Sequence, residues 1–297
     1  MSQVTVETVV TEVWGRCVQI TNEHYKLIAS LEFGPRILHF GLKDGSNVLM
    51  VDEHQAIRNE SKEMDVFGKG AWKLYGGHRL WTSPEELPRT YYPDHDDVIM
   101  ETIADGVILR APIENWTNVQ KEIKIVMIDD KVHVNHGVRN QGAWPIELAA
   151  WALSVMKPGG EAIIPHVRRE TGLLPNRTIS LWPYCNMADS RVTWGDKYIT
   201  VKQCTDAEGA FKLGTNNEEG WAGYYVDGVL FRKQHHHDVC AAYPDNNSSL
   251  EVYSCTEFLE LETLGPLVTL KRGEETRHHE VWELIPIANM QSYLAAL

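Results

Sequence analysis

Apolar and polar positions alternate with a period of two over much of this chain. Ile123, Ile125 and Met127 alternate with Glu122 and Lys124, and Val132 and Val134 alternate with Lys131 and His133. That spacing sends successive side chains to opposite faces and predicts half-buried β-strands. Short dipeptides punctuate the runs. Asp129-Asp130 separates the two just named, and Asp105-Gly106 lies between Ile103 and Val107-Ile108-Leu109. Asp227-Gly228 divides Tyr224-Tyr225-Val226 from Val229-Leu230-Phe231, and Gly195-Asp196 divides Val192-Thr193-Trp194 from Tyr198-Ile199. Such dipeptides reach the positive φ angles that tight hairpins require. Four hairpins predict antiparallel sheets rather than βαβ units. Helical signals are confined to Gln55–Met64 and Asn289–Leu297. The segment Gly68–Asp97 contains Gly76-Gly77, Pro84, Pro88 and Pro93. It reads as a long loop, and loops of this length are often functional.

Composition narrows the class. The 297 residues are 43% apolar and 23% charged, an ordinary globular balance that can bury a large core in one all-β unit. No linker, repeat or low-complexity tract divides the chain, so a single domain over 1–297 is expected. The 41 acidic against 28 basic residues give a net charge of −13, which would repel a phosphate backbone and argues against nucleic acid as a partner. The longest nearly apolar run, Leu148–Met156, is far shorter than the roughly 20 residues of a membrane-spanning helix. Met1–Val10 lacks the basic-then-apolar pattern of a secretory signal. The five cysteines, at 17, 185, 204, 240 and 255, include no C-x-x-C pair. They read as reduced thiols of a cytoplasmic protein, with Cys17 and Cys255 packed in strands.

Three clusters carry candidate chemistry. In Tyr75-Gly76-Gly77-His78-Arg79-Leu80-Trp81, the glycines allow close approach of backbone to a ligand. His78 can move a proton near neutral pH, Arg79 offers a planar fork of donors, and Trp81 gives a flat apolar face for a sugar ring. In Glu251-Val252-Tyr253-Ser254, followed by Phe258–Thr263, strand alternation puts Glu260 and Glu262 on one face and Leu259 and Leu261 on the other. That carboxylate pair suits proton abstraction; a solvated outer face is the plainer reading. In Gln234-His235-His236-His237-Asp238, His235 and His237 would point the same way in a strand and are weak candidate metal ligands; a plain histidine-rich surface is the plainer reading. Phosphate-loop, nucleophile-elbow and dinucleotide fingerprints are absent from the sequence.

Leu250-Glu251-Val252-Tyr253-Ser254, then Leu261-Glu262-Thr263, then Gly273-Glu274-Glu275 through His278 to Trp282, resemble in order the C-terminal part of the galactose mutarotase-like superfamily, the fold of aldose 1-epimerases. Glu147–Met156, Pro158-Gly159-Gly160, Trp182-Pro183-Tyr184, Arg191–Gly195 and Phe258–Pro266 resemble its DUF4380-type branch, so that the likeness covers most of the chain. The resemblance implies an all-β, antiparallel supersandwich with a few short helices, a carbohydrate ligand and no cofactor. It implies Glu262 as catalytic base. In the epimerases an Asn-His pair supplies the acid on the strand matching Glu147–Met156, where this chain has Ala150-Trp151. His78 or His166 is then the substitute acid, and Arg79, Trp81, Trp151 and Glu260 are substrate contacts. The expected function is carbohydrate binding, with epimerase or mutarotase chemistry on a sugar or sugar acid. A non-catalytic sugar sensor or ancillary domain is the alternative, and a metal-dependent isomerase or lyase using His235 and His237 is the third reading.

Overall fold

The computed structural model of the protein describes residues 3–68 and 70–296. Met1, Ser2, Lys69 and Leu297 lie outside the described residues, including the last residue of the expected C-terminal helix; the helix itself spans Met290–Ala296. Alternation is realised as antiparallel pairing throughout. One sheet of eleven strands runs from Thr5–Thr11 at one edge to Ile179–Leu181 at the other, and a second of ten runs from Val192–Trp194 to Ile99–Ile103. At the centre of the larger sheet lie His78–Ser83, Ile146–Met156, Leu259–Leu264, Leu250–Ser254 and Phe211–Thr215, in that order.

The hairpin turns fall where the dipeptides stand. Ile128 pairs with Lys131 across Asp129-Asp130, and Val226 with Val229 across Asp227-Gly228. Asp129 and Asp227 take positive φ, and so does Gly228. At Asp105-Gly106 the turn sits one residue earlier. Ile103 pairs with Gly106, and a Cβ on Gly106 would collide with the Ile125 carbonyl of the next strand.

The inner faces of the two sheets meet in one apolar layer. Phe40 of the larger sheet packs against Phe231 and Trp282 of the smaller, with ring centroids 5.8 and 5.4 Å apart. All five cysteines are free thiols; Cys17 is fully buried and Cys255 half-buried. Burial pushes both thiols up to about 11, which leaves them un-ionised and inert.

Two expectations are corrected. Gln55–Met64 forms no α-helix. Arg58–Asn59 pairs with Trp72–Lys73, and a 3₁₀ turn follows over Lys62–Phe67. The Asp52 carboxylate captures the Ile57 amide at 2.7 Å and Gln55 takes positive φ, which bends the chain away from a helical path. Gly68–Asp97 is not loop throughout either. His78–Ser83 is a central strand with all six residues buried. A strand covered on both faces has no polar–apolar alternation to reveal it. Gly76 and Gly77, at φ 81° and 70°, bring the chain against the backbone of Met50 and Ile37, so the close approach they allow is to protein rather than ligand. Among the described residues no helix is long and apolar enough to cross a membrane.

Candidate active site

Strand parity builds the site. In the five central strands, Arg79 and Trp81, Trp151 and Leu153, Glu260 and Glu262, Glu251 and Tyr253, and Lys212 project from the outer face of the larger sheet. Registry aligns them: Trp81 lies beside Trp151, Leu153 between Arg79 and Glu262, and Glu262 beside Glu251. Connecting segments rise around this patch and bring Trp72, Tyr91, Trp182 and Tyr184 to its rim, enclosing about 400 Å³. The walls are mainly aromatic, with Trp81 against Trp151 at 5.5 Å and against Trp72 at 5.4 Å. Flat apolar walls with a few polar groups between them suit a ring-shaped polar ligand.

Charged groups occupy the floor. Glu262 is fully buried; its Oε2 accepts from Trp151 Nε1 at 2.8 Å and from Lys212 Nζ at 3.3 Å. Burial drives this carboxyl up to about 7, Lys212 holds it down in part, and Glu260 adds to the rise. Its other oxygen, Oε1, has no protein partner although buried, and Trp72 Nε1 and Arg79 Nε in the pocket wall are unpaired as well. Unpaired buried polar atoms are uncommon in folded proteins and mark places where a ligand or a water can bond.

Lys212 Nζ lies 2.8 Å from Glu251 Oε2 and over the faces of Trp151 and Trp182, at 4.6 and 4.7 Å from the ring centroids. Burial opposes its charge, but Glu262 and Glu251 outweigh that and hold the ammonium well above its usual range. Glu251, buried beside Glu262, is raised well above the carboxylate range by its own desolvation. Arg79 Nη1 approaches Glu260 Oε1 at 2.8 Å. The angle there is poor for a hydrogen bond, so the contact is an ion pair, and Arg79 also stacks on Trp81 at 4.2 Å.

Glu262, Glu260, Arg79, Trp81 and Trp151 thus come together. The other sequence candidates do not join them. His78, one residue before Arg79, points through the opposite face of the sheet. Its Nε2 lies 2.7 Å from His136 Nε2 and 4.0 Å from Glu280 Oε2, and its Nδ1 is 2.8 Å from Ser154 Oγ. It does not face Glu262. His166 lines a separate hollow beside the smaller sheet. The strand Val229–His235 ends at its first candidate ligand. His237 lies beyond it, buried like His235, bonded to Ser249 Oγ at 2.7 Å and stacked on Tyr243.

His78, His136 and Glu280 instead bring potential metal-ligating atoms within 4.8 Å of one another. Their donor set is already satisfied internally. Glu280 Oε1 takes Lys233 Nζ at 2.9 Å and the Thr263 hydroxyl, Oε2 takes Trp282 Nε1 at 2.7 Å, and the two imidazoles bond each other. The cluster reads as a closed hydrogen-bonded network around a buried ion pair.

Lys212, Trp72 and Tyr91 are pocket groups that no site motif in the sequence marked. Lys212 had one usable signal: it is the lone charge in Phe211-Lys212-Leu213, an otherwise apolar strand. Trp151→Phe tests the floor directly. It removes the indole N–H that helps keep Glu262 ionised, so the Glu262 carboxyl should titrate above its present value of about 7. Carbon-13 NMR of labelled glutamate side chains across pH measures the shift.

No family model matches the sequence, and no curated protein matches it. Solved structures do. A galactose mutarotase-like protein from Lactobacillus casei superposes with a TM-score of 0.58 at 12% identity, covering 91% of this chain and all of that one. A candidate aldose 1-epimerase from Escherichia coli K12 gives 0.54 at 12% identity over 96% of this chain and 100% of that one. A TPR-domain containing protein from Parabacteroides distasonis gives 0.60 at 11% identity, over 97% of this chain and 55% of that longer one. The architecture is therefore the galactose mutarotase-like fold, built of two large antiparallel sheets with few short helices.

Proposed function

We propose that this protein binds a neutral aldose-type sugar in the aromatic pocket, with Glu262 as proton acceptor for the anomeric hydroxyl. The observation that carries this is the buried Glu262, its Oε1 unpaired and its Oε2 bonded to Trp151 and Lys212, which line a pocket walled by tryptophan and tyrosine. The mutarotase-like fold of the solved structures agrees with a sugar ligand, and the sequence likeness to the DUF4380-type branch belongs to the same reading. Pocket charge selects a neutral sugar over a sugar acid. Arg79 is matched by Glu260 and Lys212 by Glu251 and Glu262, and Glu85 adds another carboxylate at the rim. Among the described residues that line the pocket, no cation is left over for a ligand carboxylate.

In the proposed reaction Glu262 takes the proton from O1. The C1–O5 bond breaks with its electron pair passing to O5, a carbonyl forms at C1, and O5 receives a proton from Lys212. Reclosure on the other face reverses each transfer. O1 and O5 share one carbon, so an acid and a base 3.3 Å apart are suitably spaced. The base contributes roughly 10²–10⁴-fold when well placed, and an ammonium held as high as Lys212 contributes less, because a general acid works best with a pKa near the working pH.

A non-catalytic sugar sensor or ancillary domain is the second reading. It is favoured by the occupation of Glu262 Oε2 by both Trp151 and Lys212, and by the solved TPR-domain protein in which this fold fills only about half the chain. Exchange NMR on a panel of neutral aldoses and the matching uronic acids, with titration calorimetry, separates the readings. Binding of a neutral aldose with accelerated α–β exchange is expected. Binding without acceleration leaves the sensor reading. Preference for uronic acids would overturn the charge argument, and absence of any sugar binding would overturn the proposal.

A further inference from the structure

A second hollow lies beside the smaller sheet, away from the aromatic pocket, and has the opposite charge character. It encloses about 260 Å³ between the end of Glu161–Pro165, the turn before Tyr198–Lys202, and the adjoining strands Trp221–Val226 and Val229–His235. Four basic side chains line it, Arg168, Arg177, Lys197 and Arg232, against one acidic group, Asp196. In a chain of net charge −13 that concentration is unusual. Arg168 and Arg232 each have a glutamate partner, Glu219 at 2.6 Å and Glu283 at 3.5 Å. Arg177 and Lys197 are exposed and have no acidic partner within ion-pair distance among the described residues. The hollow therefore keeps an excess of positive charge after its ion pairs are counted.

The walls carry a second feature. The Arg232 guanidinium lies over the Trp221 ring at 5.0 Å, and its Nε is buried without a hydrogen-bond partner. Tyr198 and Pro165 complete an apolar side. His166 donates from Nε2 to the Gly195 carbonyl at 2.9 Å, which leaves Nδ1 as an available ring nitrogen. Guanidinium forks and an ammonium beside an apolar wall match a phosphoryl group carried on a compact organic body. We infer that this hollow is a binding site for a small phosphoryl-bearing metabolite, separate from the sugar pocket and independent of what that pocket does.

The test uses inorganic phosphate and a hexose 6-phosphate as probes, by calorimetry at low and moderate salt, with the Trp221 indole N–H resonance followed by NMR. Saturable, salt-weakened binding that shifts the Trp221 signal is expected. Arg177→Gln/Lys197→Gln changes only exposed side chains, so the fold should persist. Binding should then weaken roughly tenfold or more for each charge-assisted hydrogen bond lost. Asp196→Asn removes the opposing charge and should tighten binding. Lack of saturable binding to the wild type, wild-type affinity in the double variant, or unchanged or weaker binding in Asp196→Asn would each overturn the inference.

Discussion

Glu262→Gln should remove any sugar turnover while leaving a protein that is folded and whose stability falls less than that of the wild type as pH rises through neutrality. Glutamine keeps the shape and can still accept from Trp151, so the floor of the pocket survives. It cannot take a proton from an anomeric hydroxyl, and the expected loss is roughly 10²–10⁴-fold, the usual contribution of a positioned base. In the wild type the rate should rise with pH through about 7, because the working form is the ionised carboxylate. The stability effect follows from the same displacement. An ordinary glutamate ionises near 4.5 and the folded Glu262 near 7, so folding is opposed once the unfolded chain ionises and the folded one must follow. The contribution of the protonated group is complete below about 4.5 and is lost as pH rises through about 7. The substitution removes this pH-dependent loss, while costing Lys212 one of its two carboxylate partners, so the expected result is a flatter dependence of stability on pH between 5 and 8 in the variant. Denaturant titrations at pH 5 and pH 8 measure it. Glu260→Gln is the comparison, since that residue is ion-paired with Arg79 on the same face. Full turnover in Glu262→Gln, with loss in Glu260→Gln, would move the base by two residues.

Lys233→Met should destabilise the fold by about 3–5 kcal/mol, the usual result of stranding one member of a buried ion pair. Lys233 and Glu280 are fully buried at 2.9 Å, and Lys233 also donates to the Leu261 carbonyl at 3.1 Å. Burial opposes the Glu280 charge, yet the Lys233 ammonium holds that carboxyl well below its usual range. His78, His136 and His278 are held below the usual imidazole range, chiefly by burial, and stay neutral. Removing the ammonium leaves the Glu280 carboxylate without a cation. Lys233→Met/Glu280→Gln should recover most of the loss, because glutamine still accepts from Trp282 and no charge remains. Equilibrium unfolding of the three proteins decides it; a double variant no more stable than the single would show that the pair's charge is not the issue. The network also grips Leu261 and Thr263, the residues on either side of Glu262. Sugar affinity in the refolded double variant therefore reports how far the inner layer positions the outer-face carboxylate.

The alternating runs and their turn dipeptides determined the antiparallel β architecture, because side-chain period and positive-φ turns are local properties that a sequence carries openly. The same parity determined that Glu260 and Glu262 share a face, and it held. It failed at His78 for a stated reason. His78–Ser83 is buried on both sides and carries no alternation, so the sequence presents it as part of a Gly- and Pro-rich loop, and the split between His78 inward and Arg79 outward was invisible. The partner of Glu262 was equally out of reach. Lys212 is fifty residues away and arrives only because Phe211–Thr215 pairs with Leu250–Ser254, which in turn pairs with Leu259–Leu264. The strand ends at His235, and the partners His237 meets beyond it, Ser249 and Tyr243, come from contacts that sequence spacing does not carry. Fold class, turns and face were fixed by local spacing. Which charges meet, and which of them are cut off from water, was decided by the long-range pairing that stacks these strands side by side and buries their inner face.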